Sequence, residues 1–251
     1  MSEFFVGYLP KQPTGIAKKV RLVIGISFVL ATVCAFAFAK VQRTFAPSAF
    51  EYGNQTSFEG TVEAAPYPTL VVARPTAQGE APSFSRYVLV GTGKHGADSE
   101  IAFFVGKSVR LKGQLIYRDD KTLIEVMPGT VATAGSTLPL QPTEQDLGTA
   151  TLIGEIVDSK CYFGVMNPGS GKVHRDCAVR CLSGGIPPTL VTNNYNGSPA
   201  NFLLAGPDRR KLSKESFLPL AGRPVQIQGK VLRSGDDLYF LISPSAIAPV
   251  R

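Results

Sequence analysis

The sequence contains no tryptophan, only two histidines and three methionines, and just four cysteines. It has no C-x-x-C pair and no C-x-x-C-H, which excludes a thioredoxin-like redox pair and covalently attached haem. The spacing G-x4-G-K-[ST] is missing, so "GTGKHG" around His95 is not a phosphate loop, and a lone loop histidine reads as solvated. No twin arginine precedes the apolar N-terminal run, which argues against an exported iron–sulfur protein. No paired carboxylates stand in a recognisable hydrolase arrangement, so a non-enzymatic role is expected ahead of an enzymatic one.

Basic residues exceed acidic ones, for a net charge of +7, but the excess is local. Residues 1–43 hold six Lys or Arg and one acid, whereas residues 44–251 hold 20 basic and 18 acidic side chains. A nucleic-acid-binding face needs clustered cations with interleaved aromatics. None is present, and nucleic acid is rejected as a partner.

What the sequence does have begins with "LVIGISFVLATVCAFAFA", residues 22–39, which carries no charge. As a helix this run spans about 27 Å, close to the hydrocarbon thickness of a bilayer. It is longer than a secretory h-region of about 7–15 residues. An uncleaved anchor is therefore expected in place of a signal peptide cut after Ala39. Lys11, Lys18, Lys19 and Arg21 precede the run, and only Lys40 and Arg43 follow closely. The positive-inside bias then predicts a cytoplasmic N-terminus at 1–21, a single pass through the inner membrane at 22–39, and a periplasmic remainder. That compartment permits disulfides.

The remainder repeats itself. "GKSVRLKGQLIYRDDKTLIEVMPGTVA" (106–132) aligns without a gap to "GRPVQIQGKVLRSGDDLYFLISPSAIA" (222–248). Upstream, "FEGTVEAAPYPTLVV" (58–72) answers "LIGEIVDSKCYFGVM" (152–166), and "RYVLVG" (86–91) answers "NFLLAG" (201–206). Apolar residues recur at every second position, as in Val225, Ile227, Gly229 and Val231, which is the pattern of a half-buried strand. The 25 glycines and 19 prolines fit short strands and many turns. The expected fold is all-β: a first β domain at 50–133, a linker at 134–150 and a second β domain at 151–250. By analogy each resembles a small five-stranded barrel of the OB type, with a two-sheet sandwich as the competing architecture.

The second copy is longer. Gly60 to Gly106 covers 46 residues, whereas Gly154 to Gly222 covers 68. The surplus holds "CYFGVMNPGSGKVHRDCAVRC", residues 161–181, with three of the four cysteines and His174. "KVHRDCAVRCLSGGIPP" reads as a short helix stopped by Gly184, Gly185, Pro187 and Pro188. On it His174, Cys177 and Cys181 share one face, within roughly 60°. The "NPGSG" turn would swing Cys161 back over that face; no acid is obviously placed to orient the imidazole, Asp158 being the one within reach.

Three readings follow. Cys161, His174, Cys177 and Cys181 would make a Cys3His site for zinc or copper, with Met166 as a further soft donor. Alternatively Cys161 pairs with Cys177 or Cys181 in a disulfide, closing a loop of some 15–20 residues and contributing about 2–4 kcal/mol. In the third, one cysteine is a nucleophile or redox centre activated by His174.

The segment "GEIVDSKCYFGVMNPGSGKVHRDCAVRCLSGGIPP" (154–188) resembles a signature of uncharacterised bacterial exported or membrane-anchored proteins. The pattern is C-Y, then H-R-x-C-A-x-x-C, then G-G-I-P. The resemblance implies that the cluster acts as one unit and brings no activity with it. The leading expectation is a membrane-anchored periplasmic metal-binding or redox-sensitive module. Its rival is a non-enzymatic accessory or assembly subunit of a membrane respiratory or envelope complex, with the cysteines in a structural disulfide.

Overall fold

The computed structural model describes residues 13–41, 48–74, 83–135 and 144–250. The chain divides into two compact units, 1–45 and 46–251. In the first, helix α1 (Thr14–Val41) extends the apolar run by eight residues on one side and two on the other, for a length of about 42 Å. It is long and apolar enough to cross a membrane, and none of its residues is buried. Most of the N-terminal segment used to orient it, including Lys11, and also Arg43 beyond it, lie outside the described residues.

The second unit opens with β1 (Ser48–Phe50), β2 (Thr56–Glu63), β3 (Thr69–Arg74) and β4 (Ser83–Val90). After a single turn, α2 (Asp98–Ile101), come β5 (Ser108–Arg118), β6 (Lys121–Val126) and β7 (Ala132–Thr133). Antiparallel ladders join β2 to β3, β3 to β4, β5 to β2 and β5 to β6, and β4 runs parallel to β6. The ladder returns to its start, so these five strands close a barrel. Closure leaves no long unpaired edge. Val62, Leu70, Leu89, Val109, Leu111 and Ile124 fill its interior, and Ile101 of α2 joins them from one end.

The same order recurs. β8 (Glu144–Asp158) is followed by α3 (Arg175–Ser183), β9 (Pro188–Tyr195), β10 (Ser198–Ala205), α4 (Lys214–Phe217), β11 (Pro224–Ser234), β12 (Asp237–Leu241) and β13 (Ile247–Pro249). β8 pairs with β9 and β11, β9 with β10, and β11 with β12, all antiparallel, while β10 runs parallel to β12. The strand reaches back to Glu144, so the last seven residues of the expected 134–150 linker are sheet, drawn in by pairing with β11. Residues 136–143 of that stretch lie outside the described residues.

Matched glycines explain why the repeat is visible in sequence. A Cβ on Gly60 would collide with the Val71 carbonyl, and one on Gly154 with the Val191 carbonyl. Gly113 and Gly229 are likewise pressed against the γ-methyls of Ile124 and Ile242. In each copy the backbone passes where no side chain fits. The surplus of the second copy lies between β8 and β9, residues 159–187, where the first copy has only 64–68 between β2 and β3.

The copies pack on each other through equivalent patches. One apolar cluster contains Val88 with its match Leu203, Val90 with Ala205, Ile116 with Leu232, and Leu123 with Tyr239. Lys121 and its match Asp237 meet directly, Nζ to Oδ1 at 3.9 Å. Such self-matching contact is the pattern of an isologous interface, here within one chain. Tyr67, the counterpart of Cys161, is buried and its hydroxyl donates to the Leu204 carbonyl at 2.6 Å.

Besides the insertion, the symmetry breaks at Glu125. Where the second copy has Leu241, the first has Glu125, and Lys160 from the insertion reaches it. The Lys160 ammonium lies 2.9 Å from Glu125 Oε1 and donates to the Gly91 and Gly93 carbonyls, each at 2.8 Å. Both charged side chains are buried. Removing one partner of such a pair leaves the other charge uncompensated. Lys160→Met is therefore expected to destabilise the β unit by about 3–5 kcal/mol, read as a lower denaturation midpoint in urea. A loss under about 0.5 kcal/mol would show that the pair does not anchor this seam.

Candidate functional site

Asp158 ends β8 with its side chain wholly buried, and its Oδ1 accepts the Cys161 backbone N–H at 2.8 Å. The chain then makes one wide helical turn over Cys161–Val165, closed by Met166 N–H to the Cys161 carbonyl at 3.1 Å. These bonds fix the Cys161 backbone and turn its thiol inward. Helix α3 follows with His174 at its head, where Ala178 N–H donates to the His174 carbonyl at 2.9 Å. Its stop is as expected in place. Gly184 remains right-handed, however, and Gly185 alone takes a positive φ, at 96°.

Cys177 and Cys181, one turn apart, face Cys161. Their sulfurs lie 3.9 and 3.8 Å from the Cys161 Sγ. All three cysteines are free; a disulfide would require about 2.05 Å. Cys161 and Cys181 are buried and Cys177 is half-buried at the rim. These three sulfurs form one group able to hold a metal ion.

The structure divides the expected Cys3His set. His174 is buried, but its Nε2 lies 2.9 Å from Asp158 Oδ2, and it groups with Asp158 and Cys161, not with all three sulfurs. The cause is the buried carboxylate at the end of β8, which holds the ring on its own side of Cys161. Two candidate metal-ligand groups therefore meet at Cys161: three sulfurs on one side, and a carboxylate with an imidazole on the other. Met166 is 43 % exposed.

The first copy also reaches the cluster, by the glycine-rich loop around His95. Lys94 Nζ lies 2.9 Å from Cys177 Sγ and 3.7 Å from Cys181 Sγ. Lys160 grips this loop at Gly91 and Gly93, and Gly96 N–H donates to the Gly184 carbonyl at 3.0 Å. The neighbouring His95 is exposed, as a solvated loop histidine should be. Lys94 and Lys160 were not singled out in the sequence. The only local signal was the run Asp158-Ser159-Lys160-Cys161, which sets a carboxylate and a cation beside the first cysteine.

These contacts spread the thiol acidities apart. Cys161 is pushed well above the ordinary thiol range by its hydrogen bond to Cys181, by burial and by the Asp158 charge. Cys181 moves the other way, from 9.0 down to about 7, mainly because Cys161 donates to its thiolate and in part because Lys94 is near. The Lys94 ammonium is held protonated beyond its usual range, first by its hydrogen bond to Cys177. Such a set is poised to lose protons to a metal, which binds the thiolate form.

In metal-free protein, one thiolate should appear in the ultraviolet spectrum with a midpoint near pH 7, the value to which Cys181 is lowered. Since folding depresses this pKa, the associated stability is complete above pH 9 and fades as pH falls through 7. Absence of any thiolate below pH 9 would contradict the arrangement. No protein-family model, curated protein or solved structure matches the chain, so its function is read from the site.

Proposed function

We propose that the protein is a membrane-anchored metal-binding module whose centre is Cys161, Cys177 and Cys181. The observation that carries this reading is the sulfur spacing of 3.8 and 3.9 Å. Three thiolates bound tetrahedrally about 2.3 Å from one ion stand about 3.8 Å apart. The donor set is soft and thiolate-rich, which suits zinc or Cu(I). His174 and Asp158 then act as a carboxylate–imidazole pair next to Cys161, orienting it without joining the three-sulfur set.

The frame is a tandem of OB-like barrels. Both copies share the strand order, the parallel pairing of their third and fifth strands, and a short helix before the fourth. The insertion between the first two strands of the second copy carries the chemistry. Residues 22–39 anchor the module in the inner membrane, and the charge bias on the N-terminal side of this run supports a periplasmic position for the β unit. A membrane protein complex would be its natural partner, with the module serving it as a non-enzymatic subunit. A carboxy-terminal alkaline phosphatase fusion should be active; a well-expressed but inactive fusion would reverse the topology.

The test of function uses the full-length chain in detergent, purified without chelator. About one equivalent of zinc or copper is expected, with all four thiols, Cys34 included, titrating after denaturation in EDTA. Cys177→Ser should lose the metal. His174→Ala should retain it at about 10–100-fold weaker affinity. Two thiols and no metal would replace this reading with a disulfide staple.

A further inference from the structure

The Gly91–Gly96 loop belongs to the first copy, yet its one ammonium ends on the sulfurs of the second. Among the described residues, Lys94 is the only cation hydrogen-bonded to a cysteine sulfur. Three thiolates on a divalent ion leave one net negative charge, and on Cu(I) they leave two. Asp158 adds a buried carboxylate next to Cys161. Excess negative charge away from water is costly unless a cation answers it. His174 and Asp158 group with Cys161, whereas the cation that touches the other two sulfurs is Lys94.

The loop is brought there independently of its lysine. Lys160 holds the Gly91 and Gly93 carbonyls, and Gly96 donates to Gly184. Gly184 packs so tightly that a Cβ would collide with the Lys94 carbonyl. The backbone of Lys94 therefore rests on the end of α3, and its side chain needs only to run back along the helix to reach Cys177.

We propose that Lys94 is the outer-sphere charge partner of the metal-loaded thiolate centre, and that loading clamps the 91–96 loop onto α3. This rests on the metal reading above and deepens it: the centre belongs to both copies of the repeat, and metal occupancy controls how firmly they are docked. Lys94 is a positioning residue, since it touches the ligands and not the ion.

The experiment compares full-length wild type, Lys94→Met and Lys94→Arg in detergent. Zn2+ affinity is measured by competition with a chromophoric chelator, and amide hydrogen exchange is followed at residues 91–96. Lys94→Met should still bind one Zn2+, but about 10–100-fold more weakly, and should lose the zinc-dependent protection of the loop. Lys94→Arg keeps the charge and should recover most of both. The proposal is overturned if Lys94→Met matches wild type in affinity and loop protection, or if Lys94→Arg is as impaired as Lys94→Met. A wild-type protein that takes up neither Zn2+ nor Cu(I) would instead defeat the metal reading and this inference with it, an outcome distinct from either variant result.

Discussion

Lys160 carries a full charge into the seam between the two copies, where nothing but Glu125 and two loop carbonyls can satisfy it. A buried charge is tolerated only with such partners, so this residue admits few arrangements. It ties the end of β8 to β6 and to the 91–96 loop at once. Cys161 is the next residue along, and its place follows from that anchorage. The same grip sets the loop that presents Lys94. The cysteine site and the seam are thus one construction.

That construction departs from a symmetric plan. Matched side chains of the two copies form most of the interface: Val88 with Leu203, Ile116 with Leu232, Leu123 with Tyr239. A repeat that buries the same patch twice needs no further device to associate. Glu125 in place of a match to Leu241, and the 159–187 insertion between β8 and β9, are what make the pair unequal. The three thiols, His174 and Lys160 sit on the insertion. One copy supplies the frame for the thiols, and the other a carboxylate for Lys160 and an ammonium for the sulfurs.

The cluster also shows how three free cysteines are held close together. Hydrogen bonding passes from Cys161 to Cys181 and from Lys94 to Cys177, and the first of these separates a reluctant Cys161 thiol from a Cys181 thiol more ready to ionise. A fully satisfied polar group of this kind is compatible with burial, whereas the same atoms unpartnered would be costly. Asp158 and His174 satisfy each other on the far side of Cys161. The result is a polar core inside an apolar seam.

What could be read from the chain alone is whatever rests on local periodicity and on self-comparison. The apolar run became α1, alternation marked β5 and β11, the ungapped repeat predicted matching strand orders, and the i, i+4 spacing put Cys177 and Cys181 on one face of α3. Near-neighbour sterics and side-chain direction determine these features, and they are written in consecutive residues. Tertiary structure alone decided that His174 joins Asp158 and not all three sulfurs, that Lys160 finds Glu125, and that Lys94 reaches Cys177 across 83 positions of sequence. In the sequence an isolated lysine reads as solvated, because nothing beside it reveals its partner. Its role depends on a loop and a helix brought together by the packing of two sheets, and that packing is a property of the whole β unit.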